Sequence, residues 1–356
     1  MKLASLLKEY AAEIGIDHLG ISHAANLEAI APFLEERRDR LPPFLPRQWG
    51  QSPNQLLPKA RSVIAAAIPY AKSAPAPPKD LHGVLARYAW ITDYHLVLQE
   101  KLEQLAHFLV QEKGGHFLLS ADTGPIIDRF AAYNAGLGWY GLNRSLFVPG
   151  RGSWVVLGEI LTDIELEPDP LPASRCLGCR RCLKACPTGA LTPSGVDYAR
   201  CISYLTQMKG MIPRDLRPLM GSALGGCDLC QEVCPHNQGV PAAEGGILPG
   251  APYPILAEVL AMDKEEWAAG LGKSAVGWRG LTVFQRNAII ALGNSKHPEA
   301  IAPLAKALDD PRPLIRAHAV WALGQLPFPA ARRLLNSLHP EGEDPSVAAE
   351  LTALRV

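Results

Sequence analysis

The 356-residue chain carries no net charge, because 35 Lys and Arg balance 35 Asp and Glu. A global attraction to nucleic acid is not indicated, and any such binding must rest on a local patch. No apolar run is long enough to span a bilayer. Residues 1–20 do not read as a secretory leader. Leu3, Leu6, Leu7, Tyr10 and Ile14 recur at helical spacing with Lys8, Glu9 and Glu13 between them, which predicts an amphipathic surface helix. A twin-arginine leader is also missing. The expectation is a cytoplasmic protein without a membrane role, where free thiols survive to receive iron and sulfide. Gly136-Leu-Gly138-Trp-Tyr-Gly141 has G-x-G-x-x-G spacing, which by itself is a weak signal. Glycines cluster at 136, 138, 141, 150, 152 and 158, as if the backbone approached something large, but Trp139 would crowd a dinucleotide pyrophosphate. Finally, no cysteine precedes Cys176 or follows Cys234. A disulfide framework suits a small secreted domain, and this chain is neither.

What is present is concentrated between those two residues. Cys176-Leu-Gly-Cys179-Arg-Arg-Cys182-Leu-Lys-Ala-Cys186-Pro187 is the C-x2-C-x2-C-x3-C-P run of bacterial ferredoxins. Cys201 follows, then Cys227-Asp-Leu-Cys230-Gln-Glu-Val-Cys234-Pro235. Two four-iron clusters need eight thiolates, and eight are present. A two-residue gap lets consecutive thiolates reach adjacent corners of a cubane from one tight loop. The fourth Cys of such a run ligates the other cluster. Cys176, Cys179, Cys182 and Cys234 are therefore assigned to one cluster, and Cys186, Cys201, Cys227 and Cys230 to the second. Cys201 stands far upstream of the place a compact ferredoxin would give it. Structural zinc also uses C-x2-C pairs, but it wants two pairs per metal and no trailing C-x3-C-P.

The length allows two or three domains, and 48% hydrophobic with 20% charged residues is an ordinary soluble composition. Ser62–Pro69 reads as a buried strand, and the 117–119 and 154–161 stretches as further strands. Residues 93–113 read as a long helix whose apolar face is mostly Leu96, Leu98, Leu102, Leu105, Leu109 and Val110. Strands separated by helices predict an α/β or α+β layered domain over residues 1–170. Residues 171–240 form the two-cluster ferredoxin-like segment. Residues 241–356 are a Pro- and Gly-rich linker and an all-helical part, in which Ala288-Ile-Ile-Ala-Leu-Gly293 recurs as Ala319-Val-Trp-Ala-Leu-Gly324. That recurrence predicts HEAT-like helical pairs, which usually build binding surfaces.

Asp122 is the acid singled out. It follows an apolar strand and precedes a Gly-Pro turn. In a partly apolar cavity its pKa would rise, which suits a general acid. From residue type alone, capping the turn or a helix beginning near Ile126 is the simpler role.

The chain resembles the epoxyqueuosine reductase family, the cobalamin-dependent iron–sulfur enzymes of queuosine biosynthesis. The matching stretches are Asp-Thr-Gly-Pro at 122–125, Gly-Leu-Gly-Trp-Tyr-Gly-Leu-Asn at 136–143, Gly-Ser-Trp at 152–154 and Leu-Gly-Glu at 157–159. Arg-Cys-Ile-Ser-Tyr-Leu-Thr at 200–206, the cysteine run at 226–235 and Arg-Asn-Ala-Ile-Ile-Ala-Leu-Gly-Asn at 286–294 continue it in family order. In one departure, Gly50 stands where many relatives have an Arg three residues before Pro53, with Arg47 nearby.

The resemblance implies reduction of the epoxide of epoxyqueuosine, at the wobble base of certain tRNAs, to the cyclopentene of queuosine. It implies cobalamin bound base-off, two [4Fe-4S] clusters and an external low-potential electron donor. It makes Asp122 the proton donor. It places Asn143, Ser145, Leu146, Ser153 and Leu157 along the cobalamin, with Ser203 and the Gly226-Cys227-Asp228 turn near the corrin. Lys209, Arg279, Arg286 and Arg316 are the tRNA candidates, although a solvated helix face or an ion pair is the simpler role for each. No coiled coil or exposed pairing strand argues for an oligomer, so a monomer is expected. A reductive dehalogenase would share the cofactors but usually carries a twin-arginine leader and lacks a HEAT-like tail. A ferredoxin-type electron carrier would explain the cysteines but not Asp122 and its surroundings.

Overall fold

A computed structural model describes residues 2–37, 49 and 51–354. Arg47 and Gly50 lie outside them. The chain divides into two compact units that do not follow linear boundaries at 170 and 240. One takes the chain up to Lys72, then Asp93–Ala199 and Leu229–Glu244. The other takes Ser73–Thr92, Arg200–Asp228 and the chain from Gly245 onward.

The first unit is built on four strands, β1 (His18–His23), β2 (Ser62–Pro69), β3 (Phe117–Ser120) and β4 (Val155–Thr162). They pair in the order β1-β2-β4-β3, antiparallel throughout. The unit is therefore α+β, and the α/β alternative is set aside. The long helix between β2 and β3 does not join neighbouring parallel strands, because β4 inserts between them. Val63 through Ala67 are all fully buried. Layers cover both faces of β2, so its sequence reads as a continuous apolar run with no alternation.

Helices α1 (Leu3–Glu13) and α2 (Tyr94–Lys113) cover one face. There Leu7, Ala11, Leu98, Leu102, Leu105 and Leu109 pack on Ile21, Ile64, Ala66 and Ile160. Leu96, expected on this apolar face, is 66% exposed, and Ala106 is buried instead. Gly158 of β4 serves this packing, since a Cβ there would stand 2.8 Å from Leu102 and 2.9 Å from Leu98. The close approach expected of the glycines is here made by the protein's own helix. The other face carries α3 (Asp128–Asn134). Ala65 and Ala67 keep this face shallow, so Ala132, Ala135 and Leu137 reach it together with Leu146 and Leu157.

The second unit is mainly helical. Helices Leu281–Ser295, Pro313–Gly324 and Pro345–Leu354 pack successively. The recurring Ala-Leu stretches supply their buried contacts. Ala288–Leu292 and Ala319–Leu323 are at most 2% exposed. No described helix is long and apolar enough to cross a membrane.

Candidate functional site

Asp122 sits just beyond the end of β3, in a turn that returns to α3. Its φ of +49° lies in the left-handed region, which Asp tolerates better than most residues. Three hydrogen bonds shape the turn. The Asp122 N–H donates to Asp128 Oδ1 at 3.0 Å, Ile126 N–H to Ser120 Oγ at 3.4 Å, and Trp49 Nε1–H to the Gly124 carbonyl at 3.3 Å. Asp122 caps no helix, because α3 begins at Asp128 after Ile127.

The Asp122 side chain meets the start of α2. Tyr94 Oη donates to Asp122 Oδ2 at 3.1 Å, and His95 Nε2 lies 3.3 Å from the same oxygen. Asp93 caps α2 by accepting from His95 N–H, and its Oδ1 lies 2.5 Å from His95 Nδ1. One imidazole therefore bridges two carboxyl groups. Burial alone would lower the His95 pKa, but the hydrogen bonds and charges of Asp122 and Asp93 outweigh it and raise it to about 9. Burial alone would raise Asp122. The His95 hydrogen bond and charge, the Tyr94 hydroxyl and Arg129 outweigh it and hold the carboxyl below its ordinary range. This corrects the expectation of a raised Asp122 pKa. The raised His95 pKa favours its protonated form at neutral pH, and the Asp122 side chain beside it is 56% exposed. Tyr94 and His95 were not singled out in the sequence. The available signal was Asp93-Tyr94-His95 at the head of a long amphipathic helix, where a cap residue aims the next two side chains.

Cys176, Cys179, Cys182 and Cys234 line one open hollow, with Trp139, Phe147, Leu177, Pro235 and His236 around them. Cys182 and Cys234 are raised first by burial, with lesser contributions from neighbouring thiols, Cys234 and Cys179 on the former and Cys179 and Cys176 on the latter. Crowded thiolates of this kind need cationic iron to offset their repulsion. Among the described residues no three His, Cys, Asp or Glu side chains converge as on a single ion. Ligands of a cubane stand farther apart, each on its own iron. Trp139 is 5% exposed and, among the described residues, its indole N–H has no hydrogen-bond partner. His236 is fixed through Nε2 to the Arg175 carbonyl at 2.8 Å and meets Trp139 edge-on at 5.4 Å. This donor set fits an iron–sulfur cluster. Of the remaining cysteines, Cys186 and Cys230 belong to the first unit, and Cys201 and Cys227 to the second. All eight are free of disulfides. Burial acts to raise Cys186, but the Thr188 hydroxyl, 3.5 Å away, and nearby backbone groups lower it overall.

The residues expected along a corrin fit it only in part. Leu146 and Leu157 are 3% and 9% exposed and belong to the core beneath α3. The Ser153 hydroxyl donates to Gln231 Oε1 and accepts from Asn237, at 2.8 and 2.9 Å. Asn143 Nδ2 donates to the Cys230 carbonyl at 3.4 Å, and its oxygen accepts from Ser145 N–H. Ser145 itself is partly exposed. In the second unit the Asp228 carboxylate accepts from Arg87 N–H at 2.7 Å, and Gly226 N–H donates to Thr206 Oγ1 at 2.9 Å. The Ser203 carbonyl accepts from Thr206 and Gln207. The side chains of Asn143, Ser153 and Asp228 therefore hold the protein's own turns.

The basic candidates separate sharply. Arg286 is fully buried, with its guanidinium donating to the Leu205, Met208 and Gly210 carbonyls and to Asn287 Oδ1. It cannot touch a phosphate, and its assignment to tRNA is corrected: the helical unit uses it to fasten the 205–210 loop. Arg316 pairs with Glu343 at 3.1 Å and donates to the Asp310 carbonyl. Lys209 is exposed. Arg279 lies over the ring of Trp278 at 3.6 Å, and that Trp is 57% exposed.

Comparison with known proteins agrees with these features. The family model described as epoxyqueuosine reductase QueG matches residues 51–123, a 4Fe-4S double cluster binding domain matches 175–237, and HEAT repeats match 282–355. The epoxyqueuosine reductase of Bacillus subtilis strain 168 is 38% identical over 360 residues, covering 96% of this chain and 93% of the relative. A crystal structure of epoxyqueuosine reductase with an epoxyqueuosine-modified tRNA-Tyr stem loop superposes with a TM-score of 0.93 at 36% identity, covering 99% of this chain and 97% of that one. A Bacillus subtilis epoxyqueuosine reductase structure, with its catalytic aspartate loop swung out of the active site, superposes with a TM-score of 0.91 at 36% identity, covering 99% and 98%.

Proposed function

The chain belongs to the epoxyqueuosine reductase family, and from that premise we propose that it reduces the epoxide of epoxyqueuosine in the tRNA anticodon to the cyclopentene of queuosine. The observation in this chain that carries the reading is the half-exposed Asp122 carboxyl, hydrogen-bonded to a protonated His95. Removing an epoxide oxygen as water consumes two electrons and two protons. Asp122 is the donor to the departing oxygen. Asp122 starts ionised, so one proton reaches it from His95, whose Nε2 faces Asp122 Oδ2, and the second from solvent at its exposed side, while Tyr94 holds the same oxygen in place. The turn bearing Asp122 corresponds in this proposal to the catalytic aspartate loop of the Bacillus subtilis relative.

Electrons come from an external low-potential donor through two [4Fe-4S] clusters. The ligand sets are Cys176, Cys179, Cys182 and Cys234 for one, and Cys186, Cys201, Cys227 and Cys230 for the other, as the ferredoxin spacing dictates. Residues 171–240 are the cluster-bearing segment. Cobalamin is part of the same proposal through the family resemblance, and the strongly reducing metal centre it supplies when bound is the cofactor's own chemistry. The wobble base leaves its stack to reach Asp122. The exposed Lys209 and the half-buried Arg279 are the retained phosphate contacts. The protein acts as a monomer in the cytoplasm.

The test is direct. The full chain, with clusters reconstituted, is incubated with cobalamin, a low-potential reductant and epoxyqueuosine-containing tRNA, and the digested nucleosides are weighed. A nucleoside lighter by one oxygen atom is expected. Its absence with clusters and cobalamin in place sinks the proposal.

A further inference from the structure

We propose that the half-buried Asp128 and the fully buried Glu159 form an acid pair that positions the Asp122 turn for proton donation. Glu159 stands in the middle of β4, opposite Ala65 of β2 and Ser120 of β3. It is 0% exposed, on a face that also carries buried Ser120 and the apolar Ala65, Ala67, Leu157 and Leu161. Among the described residues no donor reaches either of its carboxyl oxygens. Its polar neighbour is another acid, the Asp128 side chain at the start of α3. Two carboxyl groups can bond only through a proton, so one of the pair holds it. The environment agrees. Burial first, then the Asp128 charge, pushes Glu159 well above its ordinary range, and burial with the Asp122 charge brings Asp128 up to about 6.

Asp128 connects the pair to the reaction. Its Oδ1 accepts the Asp122 N–H at 3.0 Å, the contact that ties the left-handed residue to α3. The Glu159 proton fixes how the Asp128 carboxyl is turned. That orientation fixes the Asp122 backbone, and with it the place of Oδ2 between Tyr94 and His95. Neither acid touches substrate, so both are positioning residues. The inference rests on the reading of Asp122 as proton donor.

Four variants of the full, cluster-loaded chain test it. Glu159→Gln can still donate to Asp128, and Asp128→Asn can still accept from Asp122. Glu159→Leu and Asp128→Ala can do neither. The first two are expected to keep roughly a third or more of kcat, and the last two to lose about tenfold or more with KM for tRNA little changed. Hydrogen exchange of peptides covering 118–130 should quicken only in Glu159→Leu and Asp128→Ala. If Leu matches Gln at 159 in both readouts, volume alone matters and the pair positions nothing. If Gln is as impaired as Leu, the shared proton is not the device. Should Glu159→Leu fail to fold, the Asp128 variants carry the same comparison at a partly exposed helix start. If the wild type does not act on tRNA, the functional reading fails, while the exchange comparison still decides the positioning role.

Discussion

His95 Nε2 lies 3.3 Å from Asp122 Oδ2, while Nδ1 of the same ring lies 2.5 Å from Asp93 Oδ1. The ring is thus held between two carboxyl groups, of which Asp122 is the more exposed (56% against 35% for Asp93).

Asp122→Asn should fold, keep its iron and lose most turnover, by roughly 100-fold or more as befits a removed general acid. Nucleoside mass analysis on modified tRNA measures it. Wild-type turnover by this variant would remove Asp122 from the proton path.

The stability contributed by the His95 pair should depend on pH in two directions. The His95 pKa is raised from 6.5 to about 9, so its share is complete below pH 6.5 and is lost as pH rises through about 9. The Asp122 pKa is depressed, so its share is present above the ordinary carboxylate range and lost as pH falls through the lowered value. Thermal unfolding of wild type and His95→Gln should therefore converge toward pH 9 and separate near neutrality. Parallel curves across that window would contradict the pairing.

Cysteine variants should sort by cluster and not by nearness in sequence. Cys234→Ala and Cys182→Ala should each lose about half the iron and the same electron-paramagnetic signal, whereas Cys186→Ala should lose the other. Matching losses for Cys182 and Cys186 would overturn the division.

Arg286→Ala should destabilise the helical unit by about 3 kcal/mol or more, since three loop carbonyls lose their donor inside the protein. Lys209→Ala should leave stability alone and flatten the salt dependence of tRNA binding by nearly one unit of log–log slope. Denaturation curves and binding isotherms at several salt concentrations separate the two roles.

The cysteine runs were legible in the sequence because cluster ligation is encoded by spacing within one tight loop. The structure then brought four of those thiols into one hollow. Ser62–Pro69 appeared as read, and the 93–113 helix began one residue late, at Tyr94, because an all-apolar run and a capped amphipathic pattern are local signals. β1 was missed because His18–His23 is too short and mixed to stand out from the helix before it. Arg286 looked like any basic residue on a helix, and only packing against the 205–210 loop showed it buried.

By itself the sequence determined the 4Fe-4S binding segment and the helical repeats, and it singled out the acid at 122. Only the tertiary structure decided that His95, 27 positions upstream, pairs with that acid, and that Asp128 and Glu159 lie beside the turn. Ligand spacing is a property of a few consecutive bonds. A protonation state depends on which charges and how little water surround a group, and that is settled only when the helix, turn and sheet close around it.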